Sequence, residues 1–289
     1  MQMVNEKLAK LRTVAAGYLS TLEDGEGKSM LAYTLNLGPT WKQIIESLPL
    51  GPSTRVLDVG CGYGLLAIEI AIRTGASILA SDVNPKFVAG AKTIIERSME
   101  QGILSNDISI EFQVDDIMQL DVPEGEFDVV VVREVFSYVS DPDKAVGNLL
   151  GALKPGGVLL VEDIDDHLYM TYPSPSDAFS RLFEAIQKLQ GQRGGDREVG
   201  RKLSVYLSRG GFVIDSVKLM TEALHVHSDP QKGEKRFIVD QIATLKDQLV
   251  DSGLLESASF DELLASVAQE APQEEFRMNG RVVVQAHRP

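Results

Sequence analysis

Nine residues constrain this chain more than any others. Val56-Leu57-Asp58-Val59-Gly60-Cys61-Gly62-Tyr63-Gly64 is an apolar run that ends in glycines at alternate positions. A short apolar run closed by glycine reads as a buried strand followed by a turn. The glycines let the backbone turn tightly and approach a ligand closely. The next stretch, 65–74, reads as a helix whose free N–H groups point toward that ligand. A purely structural turn fits the same residues. A dinucleotide site fits them less well, because its fingerprint is G-x-G-x-x-G and the spacing here is G-x-G-x-G.

From residue 54 strands and helices alternate. Apolar runs at 55–59, 77–81, 108–114, 127–132 and 158–161 read as strands. Four consecutive valines in the fourth run, 129–132, predict burial on both faces. Asn84-Pro85 and Asp141-Pro142 each read as a helix cap with proline at the first helical position. Alternation of this kind predicts a doubly wound α/β domain with a mostly parallel sheet. Further helices are expected at 177–190 and up to Arg209, and further strands at 212–219 and 281–286. About sixty residues separate those last two strands, too many for a simple loop. They hold an amphipathic pattern (Phe237, Ile238, Ile242, Leu245, Leu249) and a capping box at Ser259-Phe260-Asp261-Glu262. The chain thus divides into an N-terminal helical segment (1–50), a core (51–220 and 277–289) and a helical lid (221–276).

Two carboxylates follow the glycine turn at useful spacing. Asp82 ends the second strand, where it can accept hydrogen bonds from two vicinal ribose hydroxyls; a helix cap or a surface charge is its other reading. Asp115-Asp116-Ile117 follows the third strand. There a carboxylate can accept from an exocyclic amine of adenine, and Ile117 offers a backbone N–H and an apolar flank. Asp116 is the preferred acceptor, and a solvated acidic turn is the alternative.

Together these segments resemble the class I S-adenosylmethionine-dependent methyltransferases. Residues 56–64 are similar to the family's motif I, and Ala80-Ser81-Asp82-Val83-Asn84-Pro85 to the acidic motif after it. Phe127-Asp128-Val129-Val130, leading to Arg133-Glu134-Val135-Phe136-Ser137-Tyr138-Val139, resembles motif IV. Leu153-Lys154-Pro155-Gly156-Gly157 resembles the approach to strand five. The likeness covers roughly 54–163. It implies a seven-stranded sheet whose last strand is antiparallel, with 281–286 inserted beside 212–219. It implies S-adenosyl-L-methionine as cofactor, held by Asp58, Gly60, Cys61, Gly62, Asp82, Val83, Asp116, Ile117 and Arg133. Tyr18, Tyr33 and Trp41 are candidates to close over it. The implied reaction is in-line methyl transfer to the oxygen, nitrogen or carbon of a small molecule. Other acceptors, protein or nucleic acid, and a non-catalytic binding role are the alternatives. A base assists if the acceptor is a hydroxyl or ammonium. Candidates beyond the strand ends are Glu134, His167 and His225, with Asp163 and His227 behind them. Arg193, Arg197 and Arg201 are candidates to engage an acidic substrate group.

Charge bears on the acceptor. Of 289 residues, 28 are Lys or Arg and 42 are Asp or Glu, a net charge of −14. Such a surface repels phosphate backbones and anionic membranes, so no nucleic-acid or membrane partner is expected. Charges interrupt the apolar residues of 1–22, which therefore read as neither signal peptide nor membrane span. Cys61 is the single cysteine, so no intrachain disulfide forms and a cytoplasmic location is expected. No metal site is expected. The N-terminal helices and the lid are candidate surfaces for a homodimer.

Overall fold

In the computed structural model, residues 2–23, 25–105, 107–227, 234–269 and 274–289 are described. Two helices, α1 (Gln2–Leu19) and α2 (Glu26–Glu46), precede the sheet. The first half of the sheet is regular: β1 (Arg55–Val59), α3 (Leu65–Thr74), β2 (Ser77–Asp82), α4 (Pro85–Glu100), β3 (Ile110–Val114) and β4 (Phe127–Arg133). The second half follows as α5 (Pro142–Ala152), β5 (Leu153–Ile164), β6 (Met170–Tyr172), α6 (Asp177–Gln192), α7 (Leu203–Arg209) and β7 (Val213–His227). The lid contributes α8 (Glu234–Ala243), α9 (Lys246–Asp251) and α10 (Ser257–Gln269), and β8 (Glu274–His287) closes the chain.

The sheet runs β3-β2-β1-β4-β5-β8-β6, with β7 paired to β8. Strands β1 to β5 are mutually parallel, and β8 runs antiparallel between β5 and β7. The doubly wound sheet is thus present, and the three-residue β6 adds to the seven strands expected. The four valines of β4 are fully buried, as predicted. Val129 and Val131 join one core, with α3 and α4; Val130 and Val132 join the other, with α5 and α7. This division is the period-2 alternation of a strand covered on both faces.

Helix starts follow their local chemistry. Asn84 accepts from Lys86 N at 3.0 Å ahead of Pro85, and Asp141 accepts from Lys144 N at 3.1 Å ahead of Pro142. Gly64 precedes α3 in a left-handed conformation, φ 71°, which glycine adopts without steric cost.

The second half departs from its sequence pattern. β7 and β8 extend well beyond 212–219 and 281–286, forming a ribbon past the carboxyl ends of the parallel strands. The single amphipathic helix expected around Ile242–Leu249 is two, because Thr244 and Leu245 turn between α8 and α9. Within that pattern the side chains of Phe237 and Ile238 lie outside the described residues, as do lid residues 228–233 and 270–273. α10 starts at Ser257, ahead of the expected capping box, with Phe260 N already bonded to Glu256 O at 2.9 Å. The lid helices and α6 share a third core of their own, centred on Leu182, Leu249 and Phe260, all fully buried.

Candidate functional site: a glycine loop above a buried ion cluster

The turn after β1 is fixed by main-chain bonds. Gly60 N and Cys61 N both donate to Ser81 O, each at 2.8 Å. Gly60 has φ 75°, and a Cβ there would lie 2.1 Å from Val135 Cγ2, so nothing larger than glycine fits. Gly62, φ 54°, is different: a Cβ there would meet nothing within 4 Å. One glycine therefore lets the loop pack on the segment after β4, and the other leaves an open flank.

Asp82 stitches the loop to β2. Its carboxylate accepts from Gly62 N at 2.8 Å and from Asn84 N at 2.9 Å. Burial raises its pKa, and those two donors oppose the rise. Val83, next along, is 65% exposed. In the loop after β3, Asp115 is consumed locally, accepting from Asp116 N and Asp121 N. Asp116 is exposed and accepts only from Met118 N, at 2.9 Å, while Ile117 is buried beneath it. Of the two carboxylates, Asp116 has the fewer partners.

Asp58 is the unusual member. It is 2% exposed, and its Oδ2 has no hydrogen-bond partner. Burial pushes its pKa up to about 7; the Arg133 guanidinium opposes the rise and Asp82 adds to it. Burial also raises the Cys61 thiol.

Below the loop the strand ends meet α2 in an ion cluster that sequence reasoning did not assemble. Arg133 makes a two-pronged contact with the fully buried Glu162, at 2.9 and 3.1 Å. Arg281, from β8, donates to Glu134 and, at 2.8 Å, to Tyr33 Oη. Tyr33 in turn donates to Glu134 at 2.9 Å. Burial alone would raise the Glu134 pKa, but Arg281 and Arg133 outweigh it and hold it low. Glu134 has φ 53°, the one non-glycine residue with positive φ among those described. Trp41 lies between two guanidiniums, 5.9 Å from Arg12 and 5.8 Å from Arg133. Asp163, at the end of β5, is fully buried; burial pushes its pKa up to about 7 although Ser137 N and Ile164 N donate to it.

The candidate bases are not gathered. Glu134 Oε1 is held by both Arg281 and Tyr33. His167 stands on the turn after β5, exposed, with Nε2 2.8 Å from Glu198. His225 is on the ribbon, exposed, opposite Phe276, and the side chain of His227 lies outside the described residues. Two of the three arginines offered for an acidic substrate are already committed. Arg197 pairs with Asp166, and Arg201 pairs with Asp165. Among the described residues no cluster of His, Cys, Asp and Glu could hold a metal ion, and no helix is long and apolar enough to cross a membrane.

Comparison with known proteins bears on the domain and its fold. Residues 57–161 match the family described as methyltransferase domain. A 2-methyl-6-phytyl-1,4-hydroquinone methyltransferase of Synechocystis is 38% identical over 121 residues, 41% of this chain and 34% of that one. The chain spans between about a third and just over half the length of the curated relatives it matches. Among solved structures, a putative methyltransferase of Bacillus halodurans superposes with a TM-score of 0.56 at 16% identity, covering 86% of this chain and 98% of that one. A phosphoethanolamine N-methyltransferase of Haemonchus contortus, solved with S-adenosyl-L-methionine, gives 0.52 at 19% identity, covering 87% and 52%. Residues 57–161 thus match a methyltransferase domain, and the fold around them is shared with these solved structures.

Proposed function

We propose that this chain transfers a methyl group from S-adenosylmethionine to a small-molecule acceptor. One observation carries the proposal: the partnerless buried oxygen of Asp58, two residues before an open glycine turn. A buried charge left alone is costly, and a cationic partner offsets that cost. The donor's ammonium group is such a partner, so the residues present fit this cofactor.

In this assignment Asp58, Gly60, Cys61 and Gly62 border the methionine end, and Arg133 meets it through its backbone. Asp82 accepts from the ribose hydroxyls. Val83 flanks the adenine, Asp116 accepts from its exocyclic amine, and Ile117 offers a backbone N–H. When bound, the donor supplies an electrophilic methyl on a sulfonium whose leaving group departs neutral. Little covalent help is then needed from the protein. Its residues orient the reactants and exclude water, effects that together supply roughly 7–11 kcal/mol. We assign Glu134 a positioning role, since Arg281 and Tyr33 both hold its Oε1 and the neighbouring guanidiniums keep its pKa low. Where the acceptor must lose a proton, His167 is the base, being exposed beyond β5 and oriented by Glu198.

The net charge of −14 favours a small acceptor over nucleic acid, and the single cysteine suits the cytoplasm. Two measurements test the proposal. S-adenosylhomocysteine should bind and NADH should not. Labelled S-adenosylmethionine should then label a member of a panel of phenols, amines and carbon acids. Tighter binding of NADH would overturn the cofactor. Donor binding without transfer to any small molecule, but with transfer to protein or nucleic acid, would overturn the acceptor class.

A further inference from the structure

The outer edge of the sheet is β7, and among the described residues it pairs only with β8. A long unpaired edge is a template for another strand, and proteins normally blunt it with proline, bulges or inward charge. Here one bulge, at Asp215 between Ile214 and Ser216, interrupts the beginning. From Ser216 to Leu224 the register with β8 is unbroken, about 30 Å of edge. That stretch contains no proline, and Val217 and Leu219 are 52% and 60% exposed. Lys218 and Glu222 have no ion-pair partner among the described residues.

We propose that this edge pairs with the same edge of a second copy, antiparallel, about a two-fold axis at Met220. The register follows from geometry and charge. In an antiparallel ladder each residue aims its N–H and C=O to one side, and successive residues aim to opposite sides. Outward-facing residues must therefore meet outward-facing residues, which requires the axis to pass through a residue and not between two. An axis at Lys218 would set Lys218 against its own copy, and an axis at Glu222 would oppose the two glutamates. Only an axis at Met220 sets Lys218 opposite Glu222 of the partner subunit, and does so twice. On the other face it sets Val217 opposite Ala223 of the partner subunit and brings the two Leu219 side chains into diagonal contact. The resulting interface is isologous, as a two-fold dimer requires. It does not involve the N-terminal helices or the lid helices α8–α10, and it is independent of the methyl-transfer proposal.

The full chain, of 31.6 kDa, should sediment at twice that mass. Lys218→Glu alone and Glu222→Lys alone should each yield a monomer with an unchanged circular-dichroism spectrum. The double variant carrying both changes should restore the dimer. Cysteine scanning tests the register separately. Met220→Cys should cross-link under mild oxidation, because paired Cα atoms lie about 4.5–5.5 Å apart. Ser216→Cys, far from its own copy in this register, should not. A monomeric wild-type chain at tens of micromolar would overturn the proposal. So would a dimer indifferent to both single reversals, or equal cross-linking at 216 and 220.

Discussion

The two halves of the sheet are built on different rules. From β1 to β4 the strands are short and parallel, and β1 and β2 hand over to their helices through turns of five and two residues. From β5 onward strands overshoot, and the lid helices hang between β7 and β8 with a core that no β1–β4 residue joins. The first half fixes a binding loop by main-chain hydrogen bonds and glycine. The second half adds a lid held by side-chain packing. Under the proposed function donor binding belongs to the first half and acceptor contacts to the lid, whose core is its own, and substitutions should separate them.

The largest expected effect is on the lid. Phe260→Ala removes the fully buried aromatic of the third core and should cost about 3–5 kcal/mol locally. Hydrogen exchange should show lost protection in α6 and α8–α10, with β1–β4 unchanged; uniform loss would make the halves one unit. Gly60→Ala strikes the other half. Its methyl would collide with Val135 in a backbone conformation that disfavours side chains, costing about 2–3 kcal/mol and donor binding. A thermal melt and a titration with S-adenosylhomocysteine measure the two losses. Asp82→Ala should weaken donor affinity on the order of a hundredfold, since it removes charged hydrogen bonds to the donor and to the loop, while the far-ultraviolet spectrum stays native. Unchanged affinity would sink the ribose assignment.

The smallest effect concerns pH. Burial raises the Asp58 pKa to about 7, so below that pH its carboxyl is largely neutral and attracts an ammonium weakly. Donor affinity should therefore rise on the order of tenfold between pH 5.5 and 7, and Asp58→Asn should flatten the profile. The same raised pKa means that the ionised side chain costs folding stability, a cost that grows as pH rises from about 4 to 7. Asp163, also raised to about 7, adds to it with the same sign.

Where the sequence was readable, the signal was local. The glycine turn, Asn84-Pro85 and Asp141-Pro142 each determine structure within a few residues, so spacing alone finds them. The ion cluster was hidden because its members are distant along the chain. Tyr33 and Arg281 lie 248 residues apart, and nothing in either segment's pattern names the other. Asn279-Gly280, ahead of the expected strand 281–286, is a pair of the type that favours hairpin turns. In the structure Gly280 lies inside the strand, where a Cβ would come within 2.7 Å of Leu168. It serves close packing, and a turn signal cannot be told from a packing glycine in one sequence. Past Met220, which still packs on the first core, no described residue of β7 joins a hydrophobic core, and the strand loses its apolar alternation.

The position of α6 has a mechanical consequence. Its lid-facing side carries Leu182, Ala185 and Leu189. At its far end Gln190 donates to Ser137 O at 2.6 Å, and Asp196, just beyond it, donates to the same carbonyl at 2.9 Å. Ser137 follows the segment whose Val135 abuts Gly60. A rigid rod of helix therefore joins the enclosure at one end to the backing of the glycine turn at the other. A displacement of the lid helices would pass along α6 as along a lever and load the glycine turn, the proposed donor site, through a single carbonyl.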